Sequence, residues 1–171
     1  MSRLVQRGDA SMGLRYYPAS PTSLESVHVW SERMVVIAAA HSRLIVGEPS
    51  DAGALVGIPW VTCPIGTGSS GEPFARAMEH QVARLGLAAV ERIEIDSLTA
   101  QKRMVEADFG LGLVPRSAVT EELQVGSLTV VDLPELEMVV PVYLVRRVRG
   151  YESAGTRALA RMLASATPGT V

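Results

Sequence analysis

The segment "DSLTAQKRMVEADFGLGLVP", residues 96–115, narrows the choice of folds more than any other stretch. Ser97 is a favoured N-cap residue, and Ala100, Met104 and Ala107 fall at i, i+4 and i+7, with Leu98 and Val105 widening the stripe. An amphipathic helix is therefore expected to start at Ser97. Gly110 and Gly112 follow it, and the apolar run closed by Pro115 reads as a short buried strand. A Gly-x-Gly that cradles a phosphate comes after a strand and opens a helix, so that free N–H groups face the anion. Here the order is reversed, and no Lys-Ser or Lys-Thr follows. The glycines are expected to supply a left-handed turn and a close backbone approach. The anion-ready end of the segment is Ser97.

The rest of the chain alternates in the same way. Leu4 and Val5 before Gly8 read as the last turn of a helix, and Met12, Leu14 and Tyr16 alternate as in a strand. "VHVWSERMVVIAAA" is expected to give two short strands around a turn at Ser31, Glu32 and Arg33. A loop with a short helix leads to "WVTCPI", residues 60–65, read as a buried parallel strand with Cys63 as a small buried hydrophobe. The next helix starts near Pro73 and stops at Gly86, with Phe74, Met78, Val82 and Leu85 on one side. Its lead-in, "GTGSSG", has the strand, loop, helix order that suits an anion, and Thr67, Ser69 and Ser70 read equally as caps or as ligand contacts. Ile93 and Ile95 alternate with charges in the strand that delivers the chain to Ser97.

After Pro115 a short helix leads to a strand over 128–133 and another over 138–145, with Pro141 marking a bend or a crossing. Arg146, Arg147 and Arg149 read as a solvated charge run or an anion or partner site. A final helix is expected to turn Leu159, Met162 and Leu163 inward. Alternating strands and helices define an α/β fold with a largely parallel sheet, whose ligands sit beyond the carboxyl ends of strands. Two such ends face polar residues, 66–70 and 96–99.

Composition excludes several functions. With 16 Lys and Arg against 18 Asp and Glu, the chain of 171 residues has no overall basic footprint for nucleic acid. No apolar run approaches the length of a membrane span, and the start "MSRLVQRGDA" lacks the apolar core of a signal peptide. A single cysteine precludes an internal disulfide, so a reducing cytoplasm fits best. His28, His41 and His80 are scattered without a second ligand at a useful spacing, and no nucleophile elbow or zinc motif occurs. No cofactor and no catalytic group is expected. Two helix N-termini beside polar strand ends suit a small-ligand receptor better than an enzyme.

The pieces "LVQRGDASMGLRYYP", "SERMVVIAAAHSRL", "ALVGIPWV", "SLTAQKRMVEADFGLGLVP", "LQVGSLTVVDLP" and "VPVYLVRR", in this order, carry a resemblance. Over residues 4–164 the chain resembles the C-terminal effector-binding domain of LysR-type transcriptional regulators. The resemblance implies an α/β fold of two Rossmann-like lobes like those of type 2 periplasmic binding proteins, with a small effector in the cleft. On it, 1–36 and 134–171 form an incomplete first lobe and 37–133 the second. It places effector contacts at Arg15, Tyr16, Thr67, Ser69, Ser97, Leu98 and Thr99. Arg15 would either clasp a carboxylate or remain a surface charge. The family usually has an aspartate where Ser11 stands and a glycine where Asp108 stands.

A full regulator would also carry a winged helix-turn-helix, a linker helix and the opening strand, helix and strand of the effector domain. This sequence resembles a form that lacks them. It is then expected to bind DNA only through a helix-turn-helix domain absent here, and to self-associate as a dimer or tetramer. A stand-alone cytoplasmic solute-binding protein of the same fold is the alternative.

Overall fold

The computed structural model describes residues 1–45, 52–64, 72–86, 91–133, 135, 136 and 138–165. The chain divides into two compact units: Met1–Glu32 with Gly68–Phe74 and Val140–Val171, and Arg33–Thr67 with Ala75–Val139.

In the first unit, helix α1 (Ser2–Arg7) ends at Gly8, whose φ of 88° is the left-handed conformation that glycine adopts without strain. Strand β1 (Met12–Tyr16) follows, and β2 (Leu24–Ala39) begins here. Strand β7 (Val139–Arg147) pairs antiparallel with β1 from Met12↔Arg146 to Tyr16↔Val142 and neighbours β2 on its other side. A small core of Val5, Leu24 and Val145 holds α1 against these strands. The arginines after "YLV" are structural. Arg147 Nη1 donates to Val5 O at 2.6 Å, a carbonyl that also accepts from Gly8 N, and to Ala10 O at 3.4 Å, tying β7 to the end of α1 and to the turn after it. Arg146 pairs with Glu25 at 2.9 Å and Glu152 at 3.3 Å.

The second unit contains the larger core. Strands β3 (Trp60–Thr62), β4 (Arg92–Glu94), β5 (Leu111–Pro115) and β6 (Leu128–Val131) join the second half of β2. β3 pairs parallel with β4 and β5, whereas β2 pairs antiparallel with both β5 and β6. Among the described residues β4-β3-β5 pair parallel while β1–β7, β2–β5 and β2–β6 pair antiparallel, so the expectation of a largely parallel sheet is corrected to a mixed one. Helices α2 (Glu72–Arg84), α3 (Leu98–Glu106) and α4 (Thr120–Val125) belong to this fold, with 3-10 turns at Ala52–Leu55 and Arg116–Val119. Val35, Ile37, Val61, Val105, Val114, Val119 and Leu128 form the centre of the core.

Other expectations also change. The two strands around Ser31 are one strand of sixteen residues, because Ser31, Glu32 and Arg33 supply no Gly, Pro or Asn to reverse the chain. Met34 to Ala39 are all buried, since that half of β2 lies between β5 and β6. The left-handed residue of the α3–β5 turn is Asp108, with φ 62°, and Gly110 is not. Asp108 is held there by Ser42 Oγ, donating to Oδ1 at 2.5 Å, and by Arg43 N, donating to Oδ2 at 2.9 Å. Short polar side chains tolerate this conformation when local hydrogen bonds support it. The last helix, α5 (Ala154–Ser165), has no buried residue. Leu159 and Met162 point outward, and only Leu163 of the expected trio is half-buried.

Three carboxylates in the second unit are held below their ordinary pKa. Glu106 accepts from Ser127 Oγ and then Arg103, Asp108 from Ser42 Oγ and then Arg43 N, and Glu122 from Lys102. A folded-state pKa below the unfolded one contributes stability that is present above the unfolded value and lost as pH falls through the folded one. Melting temperature is therefore expected to hold near neutrality and to fall as pH drops below about 4.5, the upper end of the ordinary carboxylate range. Asp108→Asn should flatten part of that fall. An acid limb identical in wild type and Asp108→Asn would remove Asp108 from the account.

Candidate functional site

In the second unit the carboxyl ends of two parallel strands and a helix start come together. Thr62 lies opposite Glu94 across β3 and β4, and Ile95 N donates to Thr62 O at 2.9 Å, so both strands end side by side. β3 stops at Thr62 because Pro64 has no N–H to continue the ladder. From β4 the chain passes through Asp96 to Ser97, which is extended (φ −112°, ψ 117°) and caps α3 by accepting from Ala100 N at 3.4 Å. This is the cap expected from the sequence. Gln101 N bonds to Ser97 O, so helix geometry leaves the amides of Leu98 and Thr99 without an intrahelical acceptor. Ser97, Leu98 and Thr99 are all exposed. The site thus offers two hydroxyls and two amides at the positive end of a nine-residue helix. Exposed Asp96 places one negative charge just ahead of them, which partly answers the helix dipole.

Two residues in this place were not anticipated. Gln101 is 3% exposed, and its Nε2 donates to Ile95 O at 2.6 Å and to Cys63 Sγ at 2.9 Å. It ties the first turn of α3 to the ends of both strands. The inward face of α3 is accordingly Gln101 and Val105, and Ala107, expected on that face, is exposed. The i, i+4 spacing of these two was the available signal. Cys63 is exposed, which corrects its reading as a buried hydrophobe: one step past the strand, its side chain no longer faces the core.

The other expected contacts are placed as follows. Arg15 and Tyr16 are adjacent on β1 in the first unit, both half-buried. Arg15 Nη1 donates to Ser2 Oγ at 2.7 Å and Nε to Tyr16 O at 3.3 Å, so its guanidinium is engaged within its own unit. Burial lowers its pKa from the ordinary value, but arginine remains charged. Tyr17, next in the chain, has φ 60° and is anchored by N–H donation to Pro141 O at 3.0 Å. Burial pushes its hydroxyl pKa up. Thr67 and Ser69 lie outside the described residues, as does Ser70. Among the described residues no three His, Cys, Asp or Glu side chains gather as metal ligands, and no helix is long and apolar enough to cross a membrane.

Comparison with known proteins gives these features a family. The model of the LysR substrate binding domain matches residues 1–168, and the chain belongs to this family, the effector-binding domain of transcription regulators. A search of curated protein sequences found no match. Among solved structures, the regulatory domain of CcmR from Synechocystis, in complex with 2-PG, is 18% identical with a TM-score of 0.78, covering 99% of this chain and 79% of that one. The effector binding domain of QuiR, in complex with shikimate, is 15% identical with a TM-score of 0.74, covering 95% and 74%. The bromide-bound regulatory domain of HypT from Salmonella typhimurium is 15% identical with a TM-score of 0.70, covering 95% and 74%. At these identities the likeness is one of fold.

Proposed function

We propose that the chain is the effector-sensing module of a LysR-type transcriptional regulator, binding a small molecule rather than catalysing a reaction. Its output would pass to DNA through a helix-turn-helix domain carried outside these residues, in the cytoplasm. On this reading 1–36 with 134–171 act as the first lobe and 37–133 as the second, and the chain self-associates as a dimer or tetramer. The observation that carries it is the helix start at Ser97, Leu98 and Thr99, pinned by Gln101 to the ends of β3 and β4. Strand ends in α/β sheets are where such ligands sit, and a pre-organised donor set loses little entropy on binding.

An anion is the favoured effector class. Hydroxyls and free amides at a helix start accept negative charge, and two solved relatives hold anions, shikimate and bromide. Arg15, Tyr16, Thr67 and Ser69 are the further contacts of this reading. A thermal-shift screen of small carboxylates, with 2-PG and shikimate included, is the test. A hit should raise the melting temperature with rising concentration, as mass action requires, and lose about tenfold in affinity when Ser97→Ala removes the cap hydroxyl. A hit whose affinity ignores Ser97→Ala would take this helix start out of the site.

A further inference from the structure

We propose that the sheet face turned away from α3 holds a second small-molecule site, whose ligand is an apolar carboxylate carrying one further hydrogen-bonding oxygen. The inference does not depend on the effector site at the start of α3. Successive side chains of a strand point to opposite faces, so β3 serves two sides. Val61 shares a core with Val105 of α3, and Cys63 meets Gln101 of the same helix. Trp60 and Thr62 therefore face the other way. β3 lies between β4 and β5 and is parallel to both, so the crossovers through α2 and through α3 run in opposite directions across the sheet. Crossovers of this kind are right-handed, which lays α2 on the Trp60 side. Gln81 and Leu85, buried at i and i+4, are the stripe that α2 turns to the sheet.

Hydrogen bonding sets this layer apart. Trp60 is 2% exposed, yet its Nε1 has no acceptor among the described residues, and Thr62 Oγ1, also closed to solvent, has no partner among them either. Gln81 does not serve them, since its Nε2 donates to Glu135 O at 3.5 Å. The registers Trp60↔Arg92 and Thr62↔Glu94 set Arg92 beside Trp60 and Glu94 beside Thr62 on the same face. Arg92 is half-buried, and its guanidinium makes no hydrogen bond or ion pair among the described residues. Buried polar groups are normally paired, so two orphaned groups and an unpaired cation on one face mark a place for a ligand. An indole N–H and a guanidinium can only donate, and the group that complements both is a carboxylate between Trp60 and Arg92. Exposed Glu94 repels that carboxylate from the Thr62 end. Thr62 stands two residues further on, about 6–7 Å along the strand, so its hydroxyl meets a second oxygen at the far end of the ligand. Leu111, fully buried and opposite Trp60 across β5, gives the ligand's body an apolar wall.

Proton–nitrogen NMR of the whole labelled chain tests this, because Trp30 and Trp60 are its two tryptophans and give two indole signals. Trp30 Nε1 already donates to Glu32 Oε1 at 3.2 Å and is the internal control. Trp30→Phe assigns the pair. The probe is 4-hydroxybenzoate, a flat ring with a carboxylate and a hydroxyl at opposite ends; 4-hydroxybenzamide lacks the charge and benzoate lacks the hydroxyl. 4-Hydroxybenzoate is expected to move the Trp60 signal saturably and to leave the Trp30 signal in place. The benzamide should bind about tenfold or more weakly, and Arg92→Gln should weaken the benzoates by a similar factor. Thr62→Val should weaken 4-hydroxybenzoate and leave benzoate unchanged, a split that a purely structural role for Thr62 would not produce. Melting curves check that each variant folds, and the titration of the unaltered chain stands without them. A Trp60 signal that 4-hydroxybenzoate leaves unmoved at millimolar concentration, equal affinity for the benzamide, or binding indifferent to both Arg92→Gln and Thr62→Val would overturn the proposal. Shifts confined to the amides of Leu98 and Thr99 would overturn it while upholding the site at the start of α3.

Discussion

Gly110→Ala is expected to lower the stability of the second unit by about 2–3 kcal/mol, the cost of forcing an extra methyl into a packed backbone contact. A Cβ at Gly110 would sit 2.5 Å from Pro59 O and 2.9 Å from its carbonyl carbon, and neither backbone atom can swing aside. The same carbonyl accepts Leu111 N at 2.9 Å, immediately beside the Trp60↔Leu111 register of β3 and β5. Relief must therefore open the parallel pairing that places Cys63 and α3. Gly112→Ala is expected to cost less, because its Cβ would meet only side-chain atoms of Ile37 and Val105 at 3.2 Å. Thermal melts should show a drop of roughly 5–10 °C for Gly110→Ala, from the usual scaling for a domain of this size. Equal melting of the two variants would mean that Pro59 is not the constraint.

Lys102→Met is expected to cost more, about 3–5 kcal/mol, because it strands a buried carboxylate. Lys102 Nζ lies 2.5 Å from Glu122 Oε1 and donates to Ala118 O at 2.9 Å, joining α3 to α4 and the turn before it. Glu122 is 7% exposed, and its second oxygen has no partner, so Lys102 is the countercharge that justifies its ionisation. Converting both partners, Lys102→Met with Glu122→Met, should recover most of the loss, since a buried pair replaced by apolar groups of similar size is often neutral. Urea denaturation midpoints for the two single variants and the double variant measure this. If Lys102→Met unfolded at the wild-type midpoint, the pair would contribute nothing to holding α3.

The contrast between these residues shows what the sequence could disclose. Gly112, Pro115 and the close backbone approach at Gly110, though not its expected left-handed turn, were legible because punctuation by glycine and proline acts locally, and Ser97 because a cap needs only its own first turn. The family pattern was legible because it depends on the order of such local signals. Glu122, Gln101 and Asp108 were not. Each is a polar residue whose place is fixed by a partner distant in sequence: Lys102 for Glu122, Cys63 for Gln101, Ser42 for Asp108. Periodicity assigns such residues to the surface, because it contains no information about the acceptor or charge that compensates burial. α5 failed in the opposite sense. Its stripe was read inward, as helical stripes usually are, but its own unit covers only the Leu163 side.

The central claim is that an effector is held at the start of α3. Heteronuclear NMR of the nitrogen-labelled chain, titrated with the strongest hit of the carboxylate screen, tests it most directly. The account predicts that the largest saturable amide shifts fall on Leu98, Thr99 and Ala100, with Gln101 close behind because it carries the first turn. Saturable binding that leaves those four amides unmoved would contradict it.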